Sequence, residues 1–333
     1  MQVEPAPASG AFLAARRKAP PILSGEENRH FRLRVRRSMP LWKNYLLAHN
    51  IEEAFETLAA AQRNGRSASL IAGGTDLLLD LQQGRRAPVD TLVDVTAIPE
   101  MTNIEIRQER LYIGAAVPLN RIVTDPLVFQ HAQAVHEACS LIGGPQVRNT
   151  ATLGGNVAHA LPAGDGTIAL LALDALAEVA SPDGRRSIPV EALFLGPGKS
   201  SLVPCQELLV SFSLPLRQPG QASIHRRVMR PQGVAIAILN MASWLERDGE
   251  RIQQARLSVG PSGPVPFRAR HAEDVLNGRS MNAETISAAR EALLAEAHFR
   301  TSPHRATAEY RRQVASVLLE ETLTTAWERA SGT

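Results

Sequence analysis

Two glycine pairs, each followed by a polar residue, are where this chain could do chemistry. Thr152-Leu153-Gly154-Gly155-Asn156 sets adjacent glycines between a hydroxyl and an amide, so the backbone can approach a ligand and turn its N–H groups outward. Upstream, Ser69-Leu70-Ile71-Ala72 reads as a short strand that breaks at Gly73-Gly74-Thr75 and resumes as a helical DLLLDLQ over 76–82. Strand, glycine turn and helix start together make an anion site. A lone Gly-Gly is an ordinary turn in most chains, so neither pair decides anything by itself. Two pairs with similar polar companions, neither followed by Gly-Lys-Ser/Thr, fit a dinucleotide whose pyrophosphate is held from two sides.

The elements around them follow from periodicity. Asn50 is a helix N-cap with Glu53 as capping partner, and Ile51, Ala54, Phe55 and Leu58 share one face of a helix running to Gly65. LVDV at 92–95 is a strand, so residues 40–95 read as a small α/β unit with the first turn at a strand's carboxyl end, where open α/β sheets bind ligands. Residues 110–116 form a strand and 129–142 a helix. The stretch 142–166, with six glycines and two prolines, reads as loop throughout. A buried helix passes into a strand over 167–180, Asp183-Gly184 turns into RSIPV, and 207–215 alternates as an antiparallel strand should. A boundary near Gln218-Pro219-Gly220 precedes a hairpin turning at Asp248-Gly249, then helices near 271–278, 283–296 and 306–325.

IAGGTDLL at 71–78, LYIGAAVPL at 111–119, QVRNTATLGGN at 146–156, Asp165 beyond it and TAEYRRQVASVLL at 307–319 carry a resemblance. In this order they resemble the FAD-binding medium subunit of the molybdenum hydroxylases, the family of xanthine dehydrogenase and aerobic carbon monoxide dehydrogenase. The resemblance spans about residues 40–325 and implies an α+β fold. A two-part flavin domain of the PCMH/vanillyl-alcohol-oxidase type fills 39–217, divided into 39–95 and 96–217, and a C-terminal α+β domain fills 218–333. It also implies FAD on this chain, held by Ile71, Ala72, Gly73, Gly74, Thr75, Asp76 and Leu77 and by Thr152, Leu153, Gly154, Gly155 and Asn156, with N–H groups of both turns facing the pyrophosphate. Ile142 and Leu209 would pack its rings, and Asp165 would set a carboxylate against it. Read as residues alone, Asp165 is a helix N-cap and the two aliphatics are core. The family's Lys after the strand is replaced in Ile224-His225-Arg226-Arg227, where His225, Arg226 or Arg227 would take its place, and an expected Asp is Gly233. These departures leave the electron acceptor, NAD or another, open.

By the same resemblance, a large subunit carries a molybdenum cofactor, a small one carries [2Fe–2S] clusters, and a dimer of such heterotrimers works in the cytoplasm on an external acceptor. The flavin would carry the redox chemistry, so no catalytic side chain is expected. Two cysteines far apart, Cys139 and Cys205, cannot ligate a cluster or build a zinc site in this chain, and each reads as a small buried apolar residue. Arg148 reads as a tie for loop carbonyls, and Arg311-Arg312 as surface or interface. The basic excess lies in residues 1–38, with eight Lys/Arg against three Glu, so a polyanion-binding core is excluded and no nucleic acid is expected. Those residues read as a disordered extension or an upstream start, with no export signal and no membrane span. Two other readings stay open: a self-sufficient FAD-dependent oxidoreductase, and a flavin-free scaffold.

Overall fold

The computed structural model describes residues 40–231 and 235–332, so the extension expected over 1–38 and the departure at Gly233 lie outside the described residues. β1 (Trp42–Leu47) leads to α1 (Ile51–Arg63), β2 (Ala68–Ile71), α2 (Leu77–Gln82) and β3 (Val89–Asp94). The three strands are parallel in the order β1-β3-β2. Asn50 caps α1 by accepting from Glu53 N, while the Glu53 carboxylate accepts from His49 N at 2.8 Å, one residue before the cap. Ile51, Ala54, Phe55 and Leu58 bury the expected stripe. The β2–β3 ladder ends where Val95 N donates to Ile71 O at 3.0 Å, and the chain then turns through Gly73-Gly74 into α2.

After α3 (Pro99–Thr102) come β4 (Ile104–Arg107), β5 (Arg110–Gly114) and α4 (Leu119–Thr124). The helix expected over 129–142 is two, α5 (Pro126–His131) and α6 (Gln133–Leu141), broken at Ala132. Asp125 starts α5 early, accepting from Leu127 N and Val128 N ahead of Pro126, and Ser223 Oγ accepts from Ala134 N to anchor the start of α6. The stretch expected as loop holds two short helices, α7 (Pro145–Arg148) and α8 (Leu153–Ala158), and opens α9 (Asp165–Ala172). Its glycines disfavour helix by ~1 kcal/mol each. Thr152 Oγ1 offsets this by accepting from Gly155 N, and Gly154 N donates to Ala115 O at 2.9 Å.

β6 (Leu176–Ser181), β7 (Gly184–Pro189), the ribbon β8 (Phe194–Gly196) and β9 (Lys199–Ser200), and β10 (Leu208–Pro215) follow. The large antiparallel sheet runs β4-β5-β10-β6-β7. β10 alternates in sequence yet is buried on both faces, because Ser211 and Ser213 lie under Glu178 and Arg110 and bond to them.

A third sheet, antiparallel in the order β11-β12-β13-β14, comprises β11 (Gln221–Val228), β12 (Leu239–Asp248), β13 (Arg251–Gly260) and β14 (Phe267–Arg268). The β12–β13 hairpin reverses at Gly249, φ +57°. α10 (Arg270–Leu276), α11 (Ala283–Glu296) and α12 (Ala308–Ser331) complete the chain. α12 contributes Val314, Leu318, Leu319 and Leu323 to the core shared with this sheet, and Ser243 donates to Thr322 at 2.7 Å. Arg311, expected at the surface or an interface, is 2% exposed and donates to Ile238 O at 2.5 Å, because the buried carbonyl just ahead of β12 needs a donor inside the core. Glu137 on α6 accepts from Arg329 of α12 at 2.7 Å and from His225 N of β11 at 2.8 Å. No helix among the described residues is long and apolar enough to cross a membrane.

Candidate functional site

A cavity of about 810 Å³ opens at the carboxyl end of β2. That lies within the ~300–1,000 Å³ typical of cofactor and small-ligand sites. Ile71 to Leu77 form one wall, Ile142 to Gly144 with Gln146 and Val147 a second, Thr152 and Gly154 to Asn156 a third, and Leu208 with Leu209 the floor. The first glycine turn packs on the backbone just ahead of the second: a Cβ on Gly73 would stand 2.0 Å from Thr150 O. Gly74 turns at φ +67°, a conformation that favours glycine.

The N–H groups from Ala72 to Leu77 donate to no acceptor among the described residues. Such a run of unsatisfied donors at a strand end needs a partner, and an anionic group is the natural one. The second pair differs from its expectation: Gly154 N is taken by Ala115 O and Gly155 N by Thr152 Oγ1. Its glycines permit close packing instead, since a Cβ on Gly154 would stand 2.5 Å from Ala115 O. Gly143-Gly144, passed over in the sequence, lines the cavity with both N–H groups unpaired among the described residues, and its third Gly-Gly was the available signal. Arg148 ties this turn as expected, donating to Gly143 O at 2.7 Å.

Two carboxylates of the cavity lining, Asp80 and Glu207, are already held by other groups. Asp80 pairs with Arg85 at 3.0 Å. Burial would raise the Glu207 carboxyl, but Val203 N–H and Arg186 hold it below its ordinary value. Arg86 is the cation in the lining, and no signal short of its place after α2 marked it.

Three expected site residues do not line this cavity. Leu153 is fully buried beneath it. Asp165 is not an N-cap, because Gly164 holds that position; its carboxylate instead accepts from Arg227 and from Asn240, each at 2.7 Å. His225 Nε2 stands 3.4 Å from the same carboxylate, with the imidazole wholly buried. Burial alone would raise the Asp165 carboxyl; His225, Arg227 and Asn240 outweigh it and hold it below the ordinary 3.8. This cluster backs onto the cavity through Asn156, whose Oδ1 would stand 2.9 Å from a Cβ on Gly166. Cys139 is fully buried, as expected, and burial pushes its thiol up.

A family model described as the FAD binding domain in molybdopterin dehydrogenase matches residues 37–217. The chain belongs to that family. A second model, the CO dehydrogenase flavoprotein C-terminal domain, matches residues 224–326 of this molybdopterin-dehydrogenase flavoprotein. The chain is similar to the xanthine dehydrogenase FAD-binding subunit of Escherichia coli O157:H7, 30% identical over 87% of this chain and 97% of that one. It is 32% identical to the 6-hydroxypseudooxynicotine dehydrogenase complex subunit alpha of Paenarthrobacter nicotinovorans, over 87% of this chain and 96% of the relative. The structure of carbon monoxide dehydrogenase from Hydrogenophaga pseudoflava lacking the Mo-pyranopterin moiety aligns at TM-score 0.81 and 27% identity, covering 87% of this chain and 99% of that one. The expected fold, the FAD cofactor and the place in an oxidoreductase complex therefore hold. The cavity fits that cofactor: its size, its apolar floor and its unpaired backbone donors suit a long molecule with a doubly charged centre.

Proposed function

We propose that this FAD subunit passes electrons from [2Fe–2S] clusters on a small partner, reduced in turn by a molybdenum-cofactor large partner, to an external acceptor. The observation that carries the reading is the unpaired N–H run from Ala72 to Leu77, set against the Thr150–Ala151 backbone. That run would hold the pyrophosphate, with the Gly143-Gly144 donors on the facing wall. Ile142 and Leu209 would exclude water from the rings, and Thr152 would fix the start of α8 so that Asn156 points inward. Asp165, Arg227 and His225 would act from behind, holding Asn156 and the head of α9 in place. Bound there, FAD supplies the step between one-electron donors and the acceptor. The working assembly would be a dimer of heterotrimers in the cytoplasm.

The test is co-expression of the tagged chain with its genomic neighbours, followed by non-denaturing mass, metal content and released flavin. FAD on this chain with iron and molybdenum on larger co-purifying chains is the expected result. A yellow monomer that turns over unaided would replace it with a self-sufficient flavin oxidoreductase. A colourless chain inside an active complex would make it a scaffold.

A further inference from the structure

A second cavity, of about 530 Å³, shares no lining residue with the flavin cavity. It opens where β5 begins, β10 ends and the third sheet passes beneath, with Arg110, Arg217, Arg256 and His131 in its wall beside Leu216 and Trp244. Arg256 is already matched: it pairs with Asp174 at 2.8 Å and lies 3.9 Å over the Trp244 ring. Arg110 and Arg217 have no carboxylate within 4.0 Å among the described residues, although both are half-buried.

Both guanidiniums are clamped all the same. Arg110 donates to Ser213 Oγ at 3.3 Å and to Ser213 O at 3.0 Å, and Arg217 Nε donates to Gln221 O at 2.6 Å. Each fork is thus fixed in direction while further N–H donors stay free, a preorganised arrangement rather than two floating side chains. His131 Nδ1 is buried without a partner beside them, and burial, then Arg217, lowers the imidazole's pKa, leaving it neutral. Glu109, the carboxylate of the lining, is exposed on the β4–β5 turn and pairs with none of these cations. Half-buried, fixed, unmatched cations meet a counter-charge most economically as a bound anion, and a fork of this kind fits phosphate with two parallel bonds.

We propose that this cavity binds the phosphate group of a small organic anion, with its apolar part against Leu216 and Trp244. The site is independent of the flavin reading. The experiment is calorimetric titration of the full-length, FAD-saturated protein with inorganic phosphate and with phenyl phosphate. Saturable binding of both at millimolar concentration is expected, tighter for phenyl phosphate, and weakened about tenfold or more in Arg217→Gln and in Arg110→Gln. Flavin absorbance per chain should be unchanged in both variants, which marks the loss as local. Arg217→Lys, keeping charge without the fork, should recover part of the affinity. The denaturation midpoint of the unaltered protein should also rise with phenyl phosphate, a readout that needs no variant. No saturable binding, equal binding of both ligands, or variants that bind as the parent does would overturn the proposal.

Discussion

Gly73 has no room for a side chain, because any Cβ there meets Thr150 O at 2.0 Å. Gly73→Ala must push the Gly73-Gly74 turn away from the Thr150–Ala151 backbone, at ~1–3 kcal/mol of overpacking. The expected outcome is a folded chain with less bound flavin, read from visible absorbance per protein. Asp165 lies at the opposite extreme, a buried carboxylate matched by Arg227. Asp165→Asn leaves that cation uncompensated and should cost ~3–5 kcal/mol in chemical denaturation. The same pair predicts a pH dependence. Asp165 is held below 3.8 in the folded protein, so the unfolded chain takes up the proton first as pH falls. Its stabilising contribution is complete above that value and drains away through and below it. Denaturation midpoints compared at neutral and acid pH should therefore fall more steeply in the parent than in Asp165→Asn.

Two helix starts offer an internal comparison at the scale of elements. Asn50 caps α1 and Thr152 caps α8 by the same kind of bond, to Glu53 N and Gly155 N. Replacing either by Ala should cost ~1 kcal/mol. Thr152→Ala should also lower flavin retention, since α8 carries a cavity wall, whereas Asn50→Ala should leave it unchanged. α1, β2 and the β12–β13 hairpin were legible in the sequence because each is specified locally, by a cap, a glycine break or a turn. The break at Ala132 was not, since Ser223, far along the chain, anchors the start of α6. Nor were the short helices inside the glycine-rich stretch, where a bond from Gly154 N to Ala115 O overrides low propensity. At the site, composition marked two of the glycine pairs that line the cavity but neither the third, Gly143-Gly144, nor which donors are already spent. Asp165 was singled out by resemblance as a carboxylate against the cofactor, whereas its ion pair with Arg227, behind the cavity, depends on the register of β11 and could not be seen.

At the scale of the whole molecule, Glu137 joins three elements through Arg329, Arg226 and His225 N. Glu137→Ala should lower stability by ~2–3 kcal/mol. Flavin release and tryptophan fluorescence should both report the loss, because the bonds it removes tie α6 to the third sheet and α12. A different consequence follows from how each cavity supplies its positive potential. The flavin cavity does so with a run of unpaired peptide N–H groups, which carry no net charge, beside the single guanidinium of Arg86, whereas the second cavity relies on the whole guanidinium charges of Arg110 and Arg217. Ionic strength acts on the second kind far more than on the first. Raising salt should thus strip the small phosphate ligand while the yellow colour stays with the chain, so one protein would hold two anions, one indifferent to its ionic surroundings and one governed by them.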